Sequence, residues 1–150
     1  MQTTPAFAAF AGIPWVASHP WLYPMLESLH IVGVALLVGN LVLLELRVWG
    51  HGAELPIAAL ARLALAVSVA GFCLLGATGL LMFAAAPQEL LANRIFVIKM
   101  GLASLAGINA LSFHLRNGLH KLDRLAKAQT ALSLGLWLAV IICGRWIAYA

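Results

Sequence analysis

The sequence predicts an all-α membrane protein in which four transmembrane helices form an up-down bundle. Of its 150 residues, 63% are hydrophobic. Only 9% are charged, whereas a soluble domain carries about 25%. Four apolar segments are also long enough to cross a bilayer core, which takes about 20 residues per helix. The composition excludes a soluble enzyme, a disordered chain and a disulfide scaffold, and the length indicates that residues 1–150 form a single domain.

The four predicted transmembrane segments follow one another with short connections. They cover residues 22–46, 57–86, 95–115 and 128–148. Pro56 and Pro87 mark breaks, because proline disfavours helical geometry in the residue before it. A polar stretch over residues 116–127 separates the last two segments, and Asn93 is a suitable N-cap for the third. Short connections predict that sequence neighbours are antiparallel neighbours in space.

The first twenty residues are apolar but are interrupted by prolines and a glycine. No Lys or Arg precedes Arg47, whereas a signal peptide begins with a basic region. We therefore expect residues 1–20 to form a short helix in the outer membrane interface, and a cleaved signal is the alternative. Trp15, Trp21 and Tyr23 would belong to the aromatic belt of that interface.

Basic residues are concentrated on one side of the predicted bundle. That side holds Arg47, Arg62, Arg116, Lys121, Arg124 and Lys127. Because cytoplasmic loops carry the excess of Lys and Arg, this side is predicted to be cytoplasmic, and both termini then face outward. The loops also explain the net charge of +4, and no clustered basic patch indicates a nucleic acid as partner.

Ionisable residues inside the predicted spans are functional candidates, because charged groups are costly in a membrane. They fall into two layers separated by an apolar slab. The outer layer comprises Glu27, His30, Lys99 and Arg145. The inner layer comprises Glu45, Arg47 and His114.

Glu27 and His30 are three positions apart and share a helix face. In soluble four-helix bundles a Glu-x-x-His motif binds carboxylate-bridged metals, but those sites need two copies and two further glutamates. A site for copper or a similar ion at Glu27 and His30 is one interpretation. The other is a polar cluster in which Glu27 pairs with Lys99 or Arg145 and His30 forms a hydrogen bond between helices.

Histidines in a small membrane bundle also suggest haem b, whose iron is held axially by His or by His and Met. His30 and His114 are expected to lie about 18 Å apart along the helix axes, so one iron cannot join them. Haem would therefore use one of two separate sites. At the outer site, His30 would need a second ligand such as His19, Met82 or Met100. At the inner site, His114 would need a second ligand such as His51 or His120. Lys99 and Arg145 are able to pair with haem propionates.

Small residues form stripes on the third and fourth predicted spans. The stripes are Ala103, Ala106, Gly107 and Ala110 on the third, and Ala128, Ala131, Gly135, Ala139 and Cys143 on the fourth. Small residues let helices approach closely, which makes tight packing the ordinary explanation. The alternative is that they leave room for a flat cofactor.

Several stretches together resemble an uncharacterised family of small four-helix bacterial inner-membrane proteins, a domain of unknown function. The stretches are Trp21–Gly39, Leu44–Gly50, Gly71–Phe83, Asn93–His114 and Ser133–Tyr149. The resemblance implies a bacterial inner membrane and makes His30 and His114 part of what the family does. In such a membrane, the distribution of Lys and Arg predicts that both termini face the periplasm. The chain is more loosely similar to b561-type membrane cytochromes and copper-resistance membrane proteins, although it lacks the two histidine pairs of the b561 pattern.

Three functions follow as hypotheses. The first is a redox membrane protein that uses haem b or a quinone, with His30, His114, Lys99 and Arg145 as cofactor-binding residues. The second is a non-catalytic subunit or anchor in a homo-oligomer or a larger membrane complex. The third is a metal-handling protein that uses Glu27 and His30. In each case the lipid bilayer is the surrounding partner, and the sequence leaves enzymatic activity open.

Overall fold

The computed structural model describes residues 19–149, which are helical apart from short connections. The helices are α1 (Leu22–Val48), α2 (Ile57–Ala85), α3 (Pro87–Ala92), α4 (Arg94–Leu115), α5 (Gly118–Lys121) and α6 (Arg124–Trp146), and a 3₁₀ turn (Ile147–Tyr149) follows α6. The interfacial helix predicted for residues 1–20 lies outside the described residues except for its last two positions.

Four of these helices, α1, α2, α4 and α6, are long and apolar enough to cross a membrane. The four predicted segments are thus confirmed as long apolar helices, with small changes at their ends. Asn93 caps α4 as predicted, because its Oδ1 accepts hydrogen bonds from the amides of Ile95 and Phe96. Helix α6 begins earlier than expected because Asp123 caps it by accepting a 2.7 Å hydrogen bond from the Ala126 amide.

Helices α1 and α2 pack closely because α2 presents small side chains to the interior. Its buried residues are Ala61, Ala64, Ser68, Gly71 and Thr78. At the closest approach, Gly33 of α1 faces Gly71 of α2, and a methyl group on either would lie 2.9 Å from backbone atoms of the other helix. Leu44 packs against Ala61 and Ala64 near the C-terminal end of α1. We call this pair of helices the first hairpin.

Helices α4 and α6 form the second hairpin, which polar side chains join near both ends. The amide nitrogen of Asn93 donates a 3.3 Å hydrogen bond to the carbonyl of Ile147. Toward the opposite end, the amide nitrogen of Asn109 donates a 2.8 Å hydrogen bond to the carbonyl of Gln129. Buried amides are costly in a membrane unless they are paired, so these bonds help to fix the register of α4 on α6.

The two hairpins meet chiefly along α1 and α6. Their shared apolar core contains Leu37, Ala106, Trp137 and Val140. Helix α2 approaches α4 where Phe83 stacks on Phe96, with ring centroids 5.9 Å apart. Of the side chains of α4, Ala106 alone is buried within the described residues. The four-helix bundle is therefore tightest within each hairpin and leaves most of α4 uncovered.

Candidate functional site

His30 and Thr78 join α1 to α2 through a 2.9 Å hydrogen bond between Nδ1 and Oγ1. The Thr78 hydroxyl has one proton, which it donates to the backbone carbonyl of Leu74 or Leu75. When that proton goes to one of these carbonyls, the hydroxyl accepts from His30, so that Nδ1 carries a proton and Nε2 of the neutral ring keeps its lone pair. Nε2 is the His30 atom that is able to bind a metal or accept a proton.

The ring of His30 reaches α2 because glycine occupies position 79. A methyl group on Gly79 would lie 3.3 Å from Cε1 of His30, which is tighter than an ordinary contact. The Gly33–Gly71 contact, about two turns away along α2, holds the helices at the required separation. Glycine thus permits the His30–Thr78 hydrogen bond at two places: Gly79 leaves room for the ring, and Gly33 and Gly71 let the helices approach closely.

Lys99 of α4 brings the second hairpin to the same level of the bundle. Phe83 stacks on Phe96, and Gly79 and Lys99 each lie about one turn from that stack, so Lys99 is at about the level of the His30 ring beside Gly79. The Lys99 ammonium lies against Gly144 of α6, where a methyl group would be 3.4 Å from Nζ. The half-buried side chain has no hydrogen-bond acceptor and no carboxylate partner among residues 19–149. We call His30, Thr78 and Lys99 the outer polar site.

Glu27 and Arg145 do not join the outer polar site in the part of the chain that the structure describes. Glu27 is exposed and forms no ion pair with Lys99 or Arg145, so the predicted pairing is not found. Arg145 is also exposed; its Nη2 donates a 2.8 Å hydrogen bond to the Tyr149 hydroxyl, and its guanidinium lies 5.2 Å from the centre of that ring. Of the predicted polar cluster, the interhelical hydrogen bond of His30 is present.

The described residues contain no group of three or more His, Cys, Asp or Glu side chains able to hold a metal ion. Glu27 and His30 supply two ligands at most, whereas structural and catalytic zinc sites use three or four from the protein. A metal site at these two residues would need a further donor, and it stays a prediction.

His114 lies at the other end of α4 from Lys99. Its Nδ1 donates a 3.0 Å hydrogen bond to the carbonyl of Ala110, and its side chain is exposed. Positions 99 and 114 of one helix are about 22 Å apart. Because Lys99 and His30 lie at about the same level of the bundle, the two histidines are separated by a similar distance along its axis, and one iron cannot bind both.

Glu45 is a candidate that the sequence placed in the inner layer without giving it a role. Its side chain is only 7% exposed, and its Oε1 has no hydrogen-bond partner. Its neighbour Arg47 points elsewhere, donating to the carbonyls of Leu55 and Ala53. The sequence shows that a carboxyl group lies within a predicted span. It does not show that this group is buried, because burial depends on how α1 is rotated about its own axis.

The small-residue stripes behave differently on the two helices of the second hairpin. On α4, Ala106 is fully buried as close packing requires, but Gly107 is exposed, with open space where a side chain would begin. On α6, Ala128, Ala131 and Gly135 are exposed. The buried positions of α6 are instead Ala126, Thr130, Ser133, Trp137 and Val140. The prediction of close packing is therefore wrong for most of the α6 stripe within this chain.

Comparisons with known proteins give no family assignment. No family model, no curated protein and no solved structure matches this chain. A functional inference therefore depends on the side chains described above and on the four helices that are long and apolar enough to cross a membrane.

Proposed function

We propose that this chain takes part in electron transfer, as a membrane redox protein or subunit that binds haem b or a quinone at the outer polar site. The four apolar helices fit a multi-pass integral membrane protein in contact with lipid. The observation that carries the redox proposal is the hydrogen bond between Nδ1 of His30 and Thr78. With the proton on Nδ1, Nε2 is an acceptor or ligand. Lys99 adds a positive charge at the same level.

A quinone would use these two side chains in complementary ways. Its oxidised ring has carbonyl oxygens, to which the Lys99 ammonium is able to donate a hydrogen bond. Its reduced ring has hydroxyl groups, which are able to donate to Nε2 of His30. The exposed apolar surface of the helices lies in lipid, where a quinone carries its hydrocarbon tail.

The side chains of the outer polar site would also be able to hold haem b. Nε2 of His30 would be the ligand, and the Nδ1–Thr78 hydrogen bond would orient the imidazole as outer hydrogen bonds do at metal sites. Lys99 would face a propionate. Haem supplies one-electron chemistry when bound. A second iron ligand would come from a residue such as His19, Met82 or Met100, because His114 is too distant.

The proposal includes a location and an orientation. The chain lies in the bacterial inner membrane as an up-down bundle, as implied by its resemblance to the uncharacterised four-helix family. Both termini face the periplasm because the basic residues gather at the other side. A C-terminal fusion to alkaline phosphatase, which is active only outside the cytoplasm, would be active. A C-terminal fluorescent protein that folds only in the cytoplasm would then be dark, and the reverse pattern would overturn the orientation.

The redox proposal is tested with protein purified in mild detergent. Its absorption spectrum is recorded oxidised and dithionite-reduced, and the same sample is extracted for quinones. We expect a reducible haem spectrum or a bound quinone, lost in His30→Ala and retained in His114→Ala, which changes the distant histidine. A featureless visible spectrum together with no extracted quinone would overturn the proposal. Metal analysis of the sample tests the metal-handling alternative at Glu27 and His30.

A second candidate function is a non-catalytic subunit or anchor of a larger membrane complex or homo-oligomer. It is favoured by the uncovered surface of α4, where Ala106 alone is buried within the described chain. This function predicts a detergent-solubilised particle whose protein mass exceeds that of one chain, measured by light scattering during gel filtration. A stable monomer that carries a cofactor would contradict it.

A further inference from the structure

We propose that Glu45 is a reversible proton-binding site inside the bundle, near the C-terminal end of α1. Its ligand is a proton taken up by the carboxylate to give a neutral carboxylic acid. The site lies apart from the outer polar site, since the apolar core of Leu37, Ala106, Trp137 and Val140 lies between them. The inference does not depend on whether His30 binds a cofactor.

The burial of Glu45 is the first observation. The side chain is 7% exposed, and it belongs to the same buried face of α1 as its neighbours Leu44 and Val48. Its Oε1 is inaccessible and has no hydrogen-bond partner, a condition that within residues 19–149 is shared by the Ser68 hydroxyl alone. Buried polar atoms without a partner are rare in native proteins, so each requires an explanation, such as strain, a bound water or ion, or a functional state.

The absence of a countercharge is the second observation. The one ion pair of the described chain joins Arg116 to Asp123. Arg47 is occupied by two backbone carbonyls of the following loop. The other charged or titratable side chains of the elements packed at this end are Arg62 of α2, His114 of α4, His120 and Lys121 of α5, and Arg124 and Lys127 of α6. None of them forms an ion pair with Glu45. The polar group of α6 that faces the carboxyl is the uncharged backbone amide of Leu134.

These two observations favour a proton as the ligand. A buried carboxylate without a countercharge is strongly disfavoured, and such a group becomes neutral by taking up a proton. A metal cation would neutralise it too, but calcium and similar ions require six or more oxygen ligands. The described residues hold no cluster of acidic side chains around Glu45 that would supply them.

The test is infrared spectroscopy of the full purified chain, titrated with acid and base. The carbonyl stretch of a protonated carboxylic acid is separate from the bands of a carboxylate. We expect one such band near neutral pH, its disappearance as the pH is raised, and its return when the pH is lowered. Glu45→Gln should remove the band, whereas Glu54→Gln, which changes an exposed glutamate in the nearby loop, should leave it unchanged.

Two further measurements keep the test decisive. Glutamate labelled with carbon-13 should shift the band in the unmodified protein, so the assignment to glutamate does not require a variant that folds. The titration is repeated with sodium replaced by a large organic cation. A band that is absent at neutral pH, that survives Glu45→Gln, or that appears only when sodium is removed would overturn the proposal. None of these results depends on haem or quinone, so they are independent of the redox test.

Discussion

Gly33 and Gly71 bring the backbones of α1 and α2 into direct contact. A methyl group on Gly33 would lie 2.9 Å from the Gly71 carbonyl oxygen, and one on Gly71 would lie 2.9 Å from the Gly33 carbonyl oxygen. In a membrane, where helices gain little from leaving lipid, such close approach supplies much of the attraction between them. The same contact sets the helix separation at which His30 reaches Thr78.

We expect Gly33→Ala and Gly71→Ala each to destabilise the first hairpin by about 1–3 kcal/mol, because the added methyl group must displace backbone. The measurement is thermal unfolding in detergent. Gly39→Ala and Gly76→Ala are matched controls on the same two helices, since nothing lies within 4 Å of the new methyl group. Equal losses in all four variants would show that the Gly33–Gly71 contact has no special role.

Replacing Thr78 with Val should release the His30 ring. The variant keeps the side-chain shape but removes the acceptor for Nδ1, and interhelical hydrogen bonds in membranes contribute about 0.6–2 kcal/mol. Nitrogen-15 NMR of labelled histidine should show the proton on Nδ1 in the natural protein and a mixture of tautomers in Thr78→Val. Thr78→Ser retains the hydroxyl and should retain the Nδ1 proton; a mixture in the natural protein would contradict the assignment.

Lys99→Met should weaken quinone binding if the outer polar site is the binding site. A hydrogen bond to a charged group contributes about 1.5–3 kcal/mol, so we expect Kd to rise about ten-fold or more. Calorimetric titration with a short-chain quinone measures the change. Arg145→Met removes an exposed cation that is engaged with Tyr149 and should leave Kd nearly unchanged. Comparable effects of both substitutions would indicate nonspecific attraction.

Asp123 should make folding sensitive to acid. Its pKa is held below the ordinary value of 3.8, because its carboxylate accepts hydrogen bonds from the Ala126 amide and from Arg116. A carboxyl with a lowered pKa stabilises the folded state fully above its unfolded pKa, and that contribution is lost as the pH falls through the folded value.

The comparison for Asp123 is thermal unfolding of the natural protein and Asp123→Ala at neutral and acid pH. We expect the alanine variant to be less stable at pH 7 and the difference to shrink as the pH falls below about 4. Asp123→Asn keeps a helix cap but loses the charge, so it should be intermediate at pH 7 and less dependent on pH. A difference that is constant with pH would contradict the role of the carboxylate.

The four spans could be predicted because their length and apolar character are properties of the sequence alone. Asn93 was likewise visible as a cap, whereas α3 was missed because six residues beginning with a proline resemble a break. The burial of Glu45 and the pairing of His30 with Thr78 could not be predicted. Helices that are apolar on all sides give little periodic signal, so the sequence does not say which face turns inward. For the same reason, the sequence did not show that most small residues of the α6 stripe lie on an exposed face of the helix.

The outer polar site is divided between the two hairpins. His30 and Thr78 belong to the first, Lys99 belongs to the second, and the hairpins otherwise meet chiefly along α1 and α6. A ligand that contacts both His30 and Lys99 would therefore link the two hairpins, and its binding free energy would stabilise their association. On heating, the protein without the ligand would separate into two folded hairpins at a temperature where the hairpins of the ligand-bound protein remain associated.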